Sequence, residues 1–131
     1  MRWVSFFILF TVWLSGLSQY NDPYRLAYDG SNYYVTNNGN GTITKVTSTG
    51  KTSTVITGLN KPTDILFASV LGNTALAVID DNKLKLYDTA TFKGILSITI
   101  TGALEAHDGV FNPKNTNEFF ITDRKANSIL K

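Results

Sequence analysis

The chain contains no cysteine and only one histidine among its 131 residues. The absence of cysteine excludes disulfide bonds and thiolate metal ligands, so a fold of this size depends on its hydrophobic core. One histidine without any cysteine is also too few nitrogen and sulfur ligands for the usual zinc sites. We therefore do not expect a zinc site built by this chain alone.

An excess of charge of one sign is lacking as well. Twelve lysine and arginine residues are balanced by ten aspartate and glutamate residues, and the two signs are interspersed along the chain. This distribution provides neither a basic stripe for nucleic acid nor a polybasic patch for a membrane surface. We expect no nucleic-acid partner and no stable membrane anchor.

The one long apolar run lies at the N-terminus, where Arg2 precedes the segment Trp3–Leu14. Gly16 and Ser18 follow at the −3 and −1 positions of a small-residue cleavage site. The run is shorter than the roughly 20 residues that span a bilayer, which favours a cleaved signal peptide over a membrane anchor. We predict a signal peptide at residues 1–18 and a secreted, periplasmic or cell-envelope protein. Export without disulfides is typical of bacterial proteins.

The rest of the chain, residues 19–131, lacks helical periodicity. It is rich in β-branched and aromatic residues, which are interrupted every few positions by glycine, asparagine and aspartate. This pattern predicts an all-β domain of short strands and tight turns. The predicted strands are Arg25–Tyr28, Asn32–Asn37, Thr42–Thr47, Lys51–Thr57, Asp64–Ala68, Thr74–Asp80, Lys83–Asp88, Ile95–Thr101, His107–Asn112, Glu118–Asp123 and a last strand beginning at Ser128.

These strands fall into three units that repeat with a period of 39 to 45 residues. Four strands in a period of about 40 residues indicate the blade of a β-propeller. The aligned segments are Pro23–Arg25, Pro62–Asp64 and Ala106–Asp108; Val35–Asn37, Val78–Asp80 and Ile121–Asp123; and Ile43–Lys45, Leu84–Leu86 and Ile129–Lys131.

We therefore predict an incomplete propeller ring with two full blades, at about residues 22–60 and 61–104, and part of a third at about 105–131. The alternative is a single immunoglobulin-like sandwich, which also has short strands and frequent turns. The registration between the units favours blades. A row of blades that does not close leaves two exposed flanks, so we expect the chain to be the N-terminal piece of a longer protein.

The repeated pattern is a proline before the first strand, an apolar strand that ends in aspartate or asparagine, and isoleucine or leucine spaced by lysine. It resembles the NHL-repeat and SMP-30-like six-bladed propellers. Ala106 and Asn37 depart from the pattern, since they stand where proline and aspartate are usual. The resemblance implies a propeller fold. Some members of these groups are metal-dependent hydrolases of the lactonase type, or lyases, with a divalent ion such as Ca²⁺ in the central channel. The resemblance therefore also implies this activity as an alternative.

In a four-stranded meander, the links that enter each first strand emerge at one mouth of the channel, and loops on a rigid scaffold are frequent binding sites. The segment Glu105–Asp108 is the most polar of these links and contains the only histidine. The alternative interpretation is that its side chains satisfy only backbone groups. The candidate ligand-binding residues are Arg25, Asp64, His107 and Asp108. Under the hydrolase alternative, Glu105 and Asp108 are the metal ligands.

Two other sets of residues have structural interpretations. Aspartates at strand ends, namely Asp80, Asp81 and Asp123, lack the spacing of a calcium-binding loop, and we expect them to cap turns. The aromatic residues of the strands are expected to fill the spaces between blades. They are Tyr28, Tyr33, Tyr34, Phe67, Phe111, Phe119 and Phe120.

No nucleophile motif and no phosphate-binding glycine loop is present in the sequence. We therefore expect an exported, non-catalytic scaffold without a cofactor, which binds a protein, a glycan or a small molecule through its loops. The metal-dependent hydrolase or lyase is the alternative.

Overall fold

The computed structural model describes residues 20–70 and 72–131, and the predicted signal peptide lies outside them. The described residues form strands and turns, with no helix long and apolar enough to cross a membrane. The strands are β1 (Pro23–Tyr28), β2 (Asn32–Asn37), β3 (Thr42–Thr47), β4 (Thr52–Ile56), β5 (Pro62–Val70), β6 (Asn73–Asp80), β7 (Lys83–Asp88), β8 (Gly94–Thr99), β9 (Ala106–Asn112), β10 (Asn115–Asp123) and β11 (Ser128–Leu130).

These strands form three separate antiparallel sheets in which each strand pairs with the next along the chain. Sheet 1 consists of β1–β4, sheet 2 of β5–β8 and sheet 3 of β9–β11. The all-β prediction is confirmed, and every predicted strand is found. β5 extends beyond its predicted range at both ends, to Pro62 and to Val70. A proline is tolerated as the first residue of a strand.

The turns follow the residues that tolerate a left-handed backbone. Gly41 closes the β2–β3 turn with φ of 63°, and its N–H donates to the carbonyl of Asn37 at 3.0 Å. Asp81, in the β6–β7 turn, has φ of 57°. Glycine and aspartate adopt this conformation at low cost, which is why short loops suffice here.

The three sheets are stacked in chain order, and their first strands meet in the interior. β1 contacts β5, and β5 in turn contacts β9. We call the face that a sheet turns toward the following sheet its leading face, and the opposite face its trailing face. Side chains alternate between the two faces along each strand.

The first core lies between the leading face of sheet 1 and the trailing face of sheet 2. Tyr34 and Ile43 from sheet 1 pack with Ile65, Leu76 and Val78 from sheet 2, and all five are buried. Each such side chain contributes roughly 1.5–3 kcal/mol through its removal from water.

The second core lies between the leading face of sheet 2 and the trailing face of sheet 3. Ala77 and Leu86 from sheet 2 pack against Phe111 and Phe119 from sheet 3. Gly109 makes room for this contact, because a Cβ there would lie 2.2 Å from a ring carbon of Phe119. Small residues opposite aromatic rings therefore set the spacing of these two sheets.

Three of the seven aromatic residues expected between sheets do not lie between two sheets of the described structure. Tyr28 and Tyr33 lie on the trailing face of sheet 1, where they are 54% and 42% exposed, and Phe120 lies on the leading face of sheet 3. These two faces are not covered by another sheet of the described structure. Burial depends on a neighbouring sheet, which strand patterning alone does not supply.

An aspartate at the end of the second strand anchors the link that enters its own sheet. Asp80 Oδ1 accepts the backbone N–H groups of Asn60 and Lys61 at 2.8 and 2.7 Å. Asp123 Oδ2 accepts the N–H of Leu104 at 2.6 Å. Both carboxylates are buried, so these bonds also satisfy groups that water cannot reach. Asp80 and Asp123 thus cap backbone groups, as expected for aspartates at strand ends.

Sheet 1 uses an amide for the same purpose. Asn37 stands at the position of Asp80, and its Oδ1 accepts the N–H of Asn21 at 3.4 Å. Asn37 Nδ2 donates to the Thr44 hydroxyl at 2.9 Å, whereas Asp80 accepts a charged hydrogen bond from Lys85 Nζ at 2.6 Å. The neutral Asn37 is therefore bonded to a neutral hydroxyl, and the carboxylate of Asp80 to a charged lysine. In both sheets the link leading into the first strand is held in place.

Candidate functional site

The anchored links bring the predicted ligand-binding residues together at one end of the stacked sheets. Arg25 lies near the start of β1, Asp64 near the start of β5, and His107 and Asp108 near the start of β9. Arg25 contacts Asp108 directly, although sheets 1 and 3 are not consecutive in the stack, and Asp64 contacts the backbone of Gly109, the residue after Asp108. We call these four residues, together with Tyr24, the end cluster.

The strongest link of the end cluster is an ion pair between sheet 1 and sheet 3. Arg25 Nη2 donates to Asp108 Oδ1, and the two side chains remain 41% and 39% exposed. Arg25 Nε is buried and has no hydrogen-bond acceptor among the described residues. A buried donor without a partner costs about 1–3 kcal/mol, so this nitrogen lowers the stability that the ion pair contributes.

A chain of hydrogen bonds runs beside this ion pair. The hydroxyl of Tyr24 contacts His107 Nε2, and His107 Nδ1 lies 2.9 Å from Asp108 Oδ2. The two rings meet edge to face at 5.4 Å between their centroids. When the imidazole is neutral, the carboxylate favours a proton on Nδ1, and Nε2 then accepts from the Tyr24 hydroxyl. The histidine is therefore held in one orientation by a residue on each side.

Asp64 lies beneath the exposed members of the end cluster and connects sheet 2 to sheet 3. Its Oδ2 accepts the backbone N–H of Gly109 at 2.8 Å, and its Oδ1 accepts the N–H of Ile65 at 2.9 Å. Burial raises the pKa of Asp64 and the nearby charge of Asp108 adds to this effect, while the two N–H donors and Arg25 act in the opposite direction. Asp64 therefore supports the cluster from within rather than presenting a free carboxylate.

Glu105 has different partners from the end cluster. Its Oε1 lies 2.6 Å from Arg124 Nη2 and 4.0 Å from Lys61 Nζ. Asp108, the second predicted metal ligand, is instead paired with Arg25 and His107. Within residues 20–70 and 72–131, no group of three or more histidine, aspartate or glutamate side chains is placed to hold a metal ion.

Two residues of this region were not singled out from the sequence. Tyr24 belongs to the end cluster, and Thr63 donates through its hydroxyl to the carbonyl of Ala106 at 3.1 Å. The repeat alignment contained the signal, because Tyr24, Thr63 and His107 occupy the same position of successive units. A search by position in the repeat, rather than by residue type, would have found them.

The end cluster offers hydrogen-bond donors and acceptors without a large net charge. The guanidinium of Arg25 and the carboxylate of Asp108 offset each other, and the Asp64 carboxylate beneath them is bound by two backbone N–H groups. Tyr24 and His107 add a phenol and an imidazole. Tyr24 and His107 also present aromatic ring surface. Such a surface suits a polar ligand that both donates and accepts hydrogen bonds.

Comparison with known proteins adds no relative to this picture. No protein-family model matches the chain, and no curated protein is significantly similar to it in sequence.

Proposed function

We propose that this protein is an exported β-propeller repeat protein that binds a small neutral, hydroxyl-rich ligand, such as a glycan, at the end cluster without converting it. The observation that carries the proposal is the joining of Tyr24 and Arg25 on sheet 1 to His107 and Asp108 on sheet 3. Residues 83 positions apart in the sequence form one exposed polar surface.

The propeller assignment is supported by the repeated geometry of the sheets. Each is an antiparallel meander whose first strand faces the centre of the stack. The residue that ends the second strand, Asn37, Asp80 or Asp123, anchors the entering link in every one of them. Radial repetition of such units is the propeller architecture. Support for export comes from the sequence of residues 1–18.

A hydroxyl-rich ligand is favoured over an ion by the charge balance of the end cluster. A phosphate or a metal ion would have to compete with the existing pair of Arg25 and Asp108. Sugar hydroxyls donate and accept at once, so they can bind beside the pair without breaking it. Carbohydrate rings also pack on aromatic side chains such as Tyr24.

The pairing of Glu105 favours binding over metal-dependent hydrolysis. A channel metal held by Glu105 and Asp108 would require Glu105 to leave Arg124, and Asp108 to leave Arg25. Thermal unfolding with and without EDTA or added Ca²⁺ tests this alternative. A resident metal ion would raise the melting temperature by several degrees through binding to the folded state, and we expect no change.

The proposed function is tested by titrating the ¹⁵N-labelled protein with neutral disaccharides, namely maltose, cellobiose and lactose. We expect at least one of them to shift the amide resonances of Tyr24, Arg25, His107 and Asp108. The same ligand should bind about ten-fold more weakly to Arg25→Gln and to Asp108→Asn, because each removes one partner of a charged hydrogen bond.

Arg124→Gln is the matched control, since it also removes an arginine that is paired with a carboxylate. It should bind the ligand as the unchanged protein does. If none of the disaccharides shifts the end cluster, or if Arg124→Gln weakens binding as much as Arg25→Gln does, the assignment to this site is wrong.

A further inference from the structure

Two sheet faces of the molecule are apolar and do not pack against another sheet of the described structure. The trailing face of sheet 1 exposes Leu26 at 60% together with Tyr28 and Tyr33. The leading face of sheet 3 exposes Val110 at 59% and Ile129 at 71%, and a shallow recess of about 200 Å³ lies between them. Exposed apolar patches of this kind mark interaction surfaces.

The trailing face of sheet 1 repeats a face that is buried elsewhere in the same molecule. In sheet 1, Leu26 pairs with Val35 and Tyr28 with Tyr33; the same positions in sheet 2 form the trailing half of the first core. Leu26 is 60% exposed in sheet 1, whereas Ile65, at the same position of sheet 2, is 4% exposed. The equivalent pairs are Leu26 and Ile65, Tyr28 and Phe67, Tyr33 and Leu76, and Val35 and Val78.

The leading face of sheet 3 repeats the face that buries that core. Val110 pairs with Phe120 in sheet 3 just as Ala27 pairs with Tyr34 in sheet 1. Ile129 occupies the position of Ile43, since each lies opposite the threonine that precedes the anchoring residue of the second strand. Sheet 3 thus carries an isoleucine, an aromatic ring and a small aliphatic residue where sheet 1 carries them.

On the leading faces of sheets 1 and 3, a lysine also lies at a similar distance from the aromatic ring. Lys45 Nζ lies 6.0 Å from the centre of the Tyr34 ring, and Lys131 Nζ lies 5.8 Å from the centre of the Phe120 ring. Lys131 is also paired with Glu118 at 2.7 Å, so its charge is compensated on this face. The leading face of sheet 3 therefore offers an apolar surface without an unpaired charge to bury.

We propose that a second copy of this chain covers both faces, with the leading face of sheet 3 of each copy packed on the trailing face of sheet 1 of the other. The contact between copies reproduces the contact between sheets 1 and 2 within one copy. The contact is heterologous and occurs twice, once in each direction, when two copies form a closed dimer. The occupant is the same chain because its own first core already shows these two kinds of face packed together. This assembly does not depend on which ligand the end cluster binds.

The test measures the mass of the exported protein by sedimentation, alone and in mixtures of two variants. We expect the unchanged chain to form a dimer and nothing larger. Leu26→Glu disrupts one face and Ile129→Lys the other, and each alone should weaken association by about a hundred-fold or more through a buried unpaired charge. Both residues are exposed in the single chain, so neither change should prevent folding.

Mixing the Leu26→Glu and Ile129→Lys variants tests whether the two faces bind each other. Each mixed pair has one unaltered contact and one in which glutamate meets lysine, so the dimer should return when the variants are combined. Ile95→Glu is the control: Ile95 is 61% exposed but lies on the outer strand of sheet 2, and its change should leave the dimer intact. A chain that stays single, a ladder of larger species, or variants that do not restore one another would overturn the proposal.

Discussion

Sheets 1 and 2 carry equivalent apolar residues on their trailing faces and yet differ sharply in burial. Leu76 in sheet 2 is fully buried, whereas Tyr33, at the same position in sheet 1, is 42% exposed. The two residues occupy equivalent positions of the strand pairing, since Tyr33 lies opposite Tyr28 and Leu76 opposite Phe67. The difference arises because, among the described residues, sheet 2 has a neighbouring sheet on that face and sheet 1 does not. In a repeat fold, burial is a property of the interface between units.

The sharpest way to break this comparison is to truncate both residues. Leu76→Ala should lower the free energy of unfolding by about 2–5 kcal/mol, because it removes a side chain from a closed core and leaves a cavity. Tyr33→Ala should cost less than about 1 kcal/mol in the single chain, since its ring is largely in water. Urea denaturation of both variants at a concentration where the chain is monomeric checks the pair. Equal losses would show that the two faces are equally buried.

The anchoring residues provide a second comparison between the same sheets. Asp80→Ala should lower the free energy of unfolding by about 3 kcal/mol, because it leaves Lys85 and two backbone N–H groups without their partner. Asn37→Ala, in sheet 1, should cost about 1.5 kcal/mol, since only neutral hydrogen bonds are lost. The measurement is again urea denaturation. A larger loss for Asn37→Ala than for Asp80→Ala would contradict the assigned partners.

The end cluster should contribute less to stability than either core. His107→Ala should lower the free energy of unfolding by less than about 1 kcal/mol, because the side chain lies at the rim and its hydrogen bonds are partly replaced by water. Thermal unfolding with Arg124→Ala as a surface control measures this. A loss of several kcal/mol would place His107 in the structural core and would argue against a binding surface.

The β1–β2 turn of sheet 1 should give the smallest effect, and one that depends on pH. Burial opposes ionisation of Asp29, but hydrogen bonds from Asn32, Tyr34 and Ser31 prevail and lower its pKa from 3.8 to about 2. Burial, followed by the bond to Asp29, raises the pKa of Tyr34 from 10.0 to about 12. The two residues are joined by the Tyr34 hydroxyl, which donates to Asp29 Oδ2 at 2.8 Å.

Each shift sets one limit of pH. The pKa of Asp29 is lower in the folded than in the unfolded chain. Its contribution to the free energy of unfolding is therefore present above pH 3.8 and is lost as the pH falls toward about 2. The pKa of Tyr34 is higher in the folded than in the unfolded chain. Its contribution to the free energy of unfolding is therefore present below pH 10.0 and is lost as the pH rises through about 12. Asp29→Asn should remove the acid limb and Tyr34→Phe the alkaline limb in urea denaturation across pH. Unchanged limbs in both variants would refute these assignments.

The strands could be predicted from the sequence because each depends on local information. Alternation of apolar residues and turn-forming residues such as Gly41 and Asp81 defined β2, β3 and β7 to the residue. The end cluster was located because the repeat alignment placed Arg25, Asp64 and Asp108 at one position of successive units. Their grouping follows from the stacking of the sheets rather than from any motif.

What the sequence did not predict depends on contacts between sheets. The exposure of Tyr33 and the burial of Leu76 differ through the presence of a neighbour, which strand patterning does not report. The partners of Glu105 could not be predicted either, because Arg124 and Lys61 approach it through loops of two different sheets. Tyr24 was overlooked because a tyrosine near the start of a strand has no chemical signature of its own.

The most direct test of this account is the ¹⁵N NMR spectrum of the one imidazole in the chain. If sheets 1 and 3 meet at the end cluster, neutral His107 carries its proton on Nδ1, and Tyr24→Phe shifts the Nε2 resonance while leaving the Nδ1 proton in place. Asp108→Asn should instead disturb the Nδ1 resonance. A spectrum with rapidly exchanging tautomers that neither substitution alters would contradict the stacking of the sheets and the binding surface that it forms.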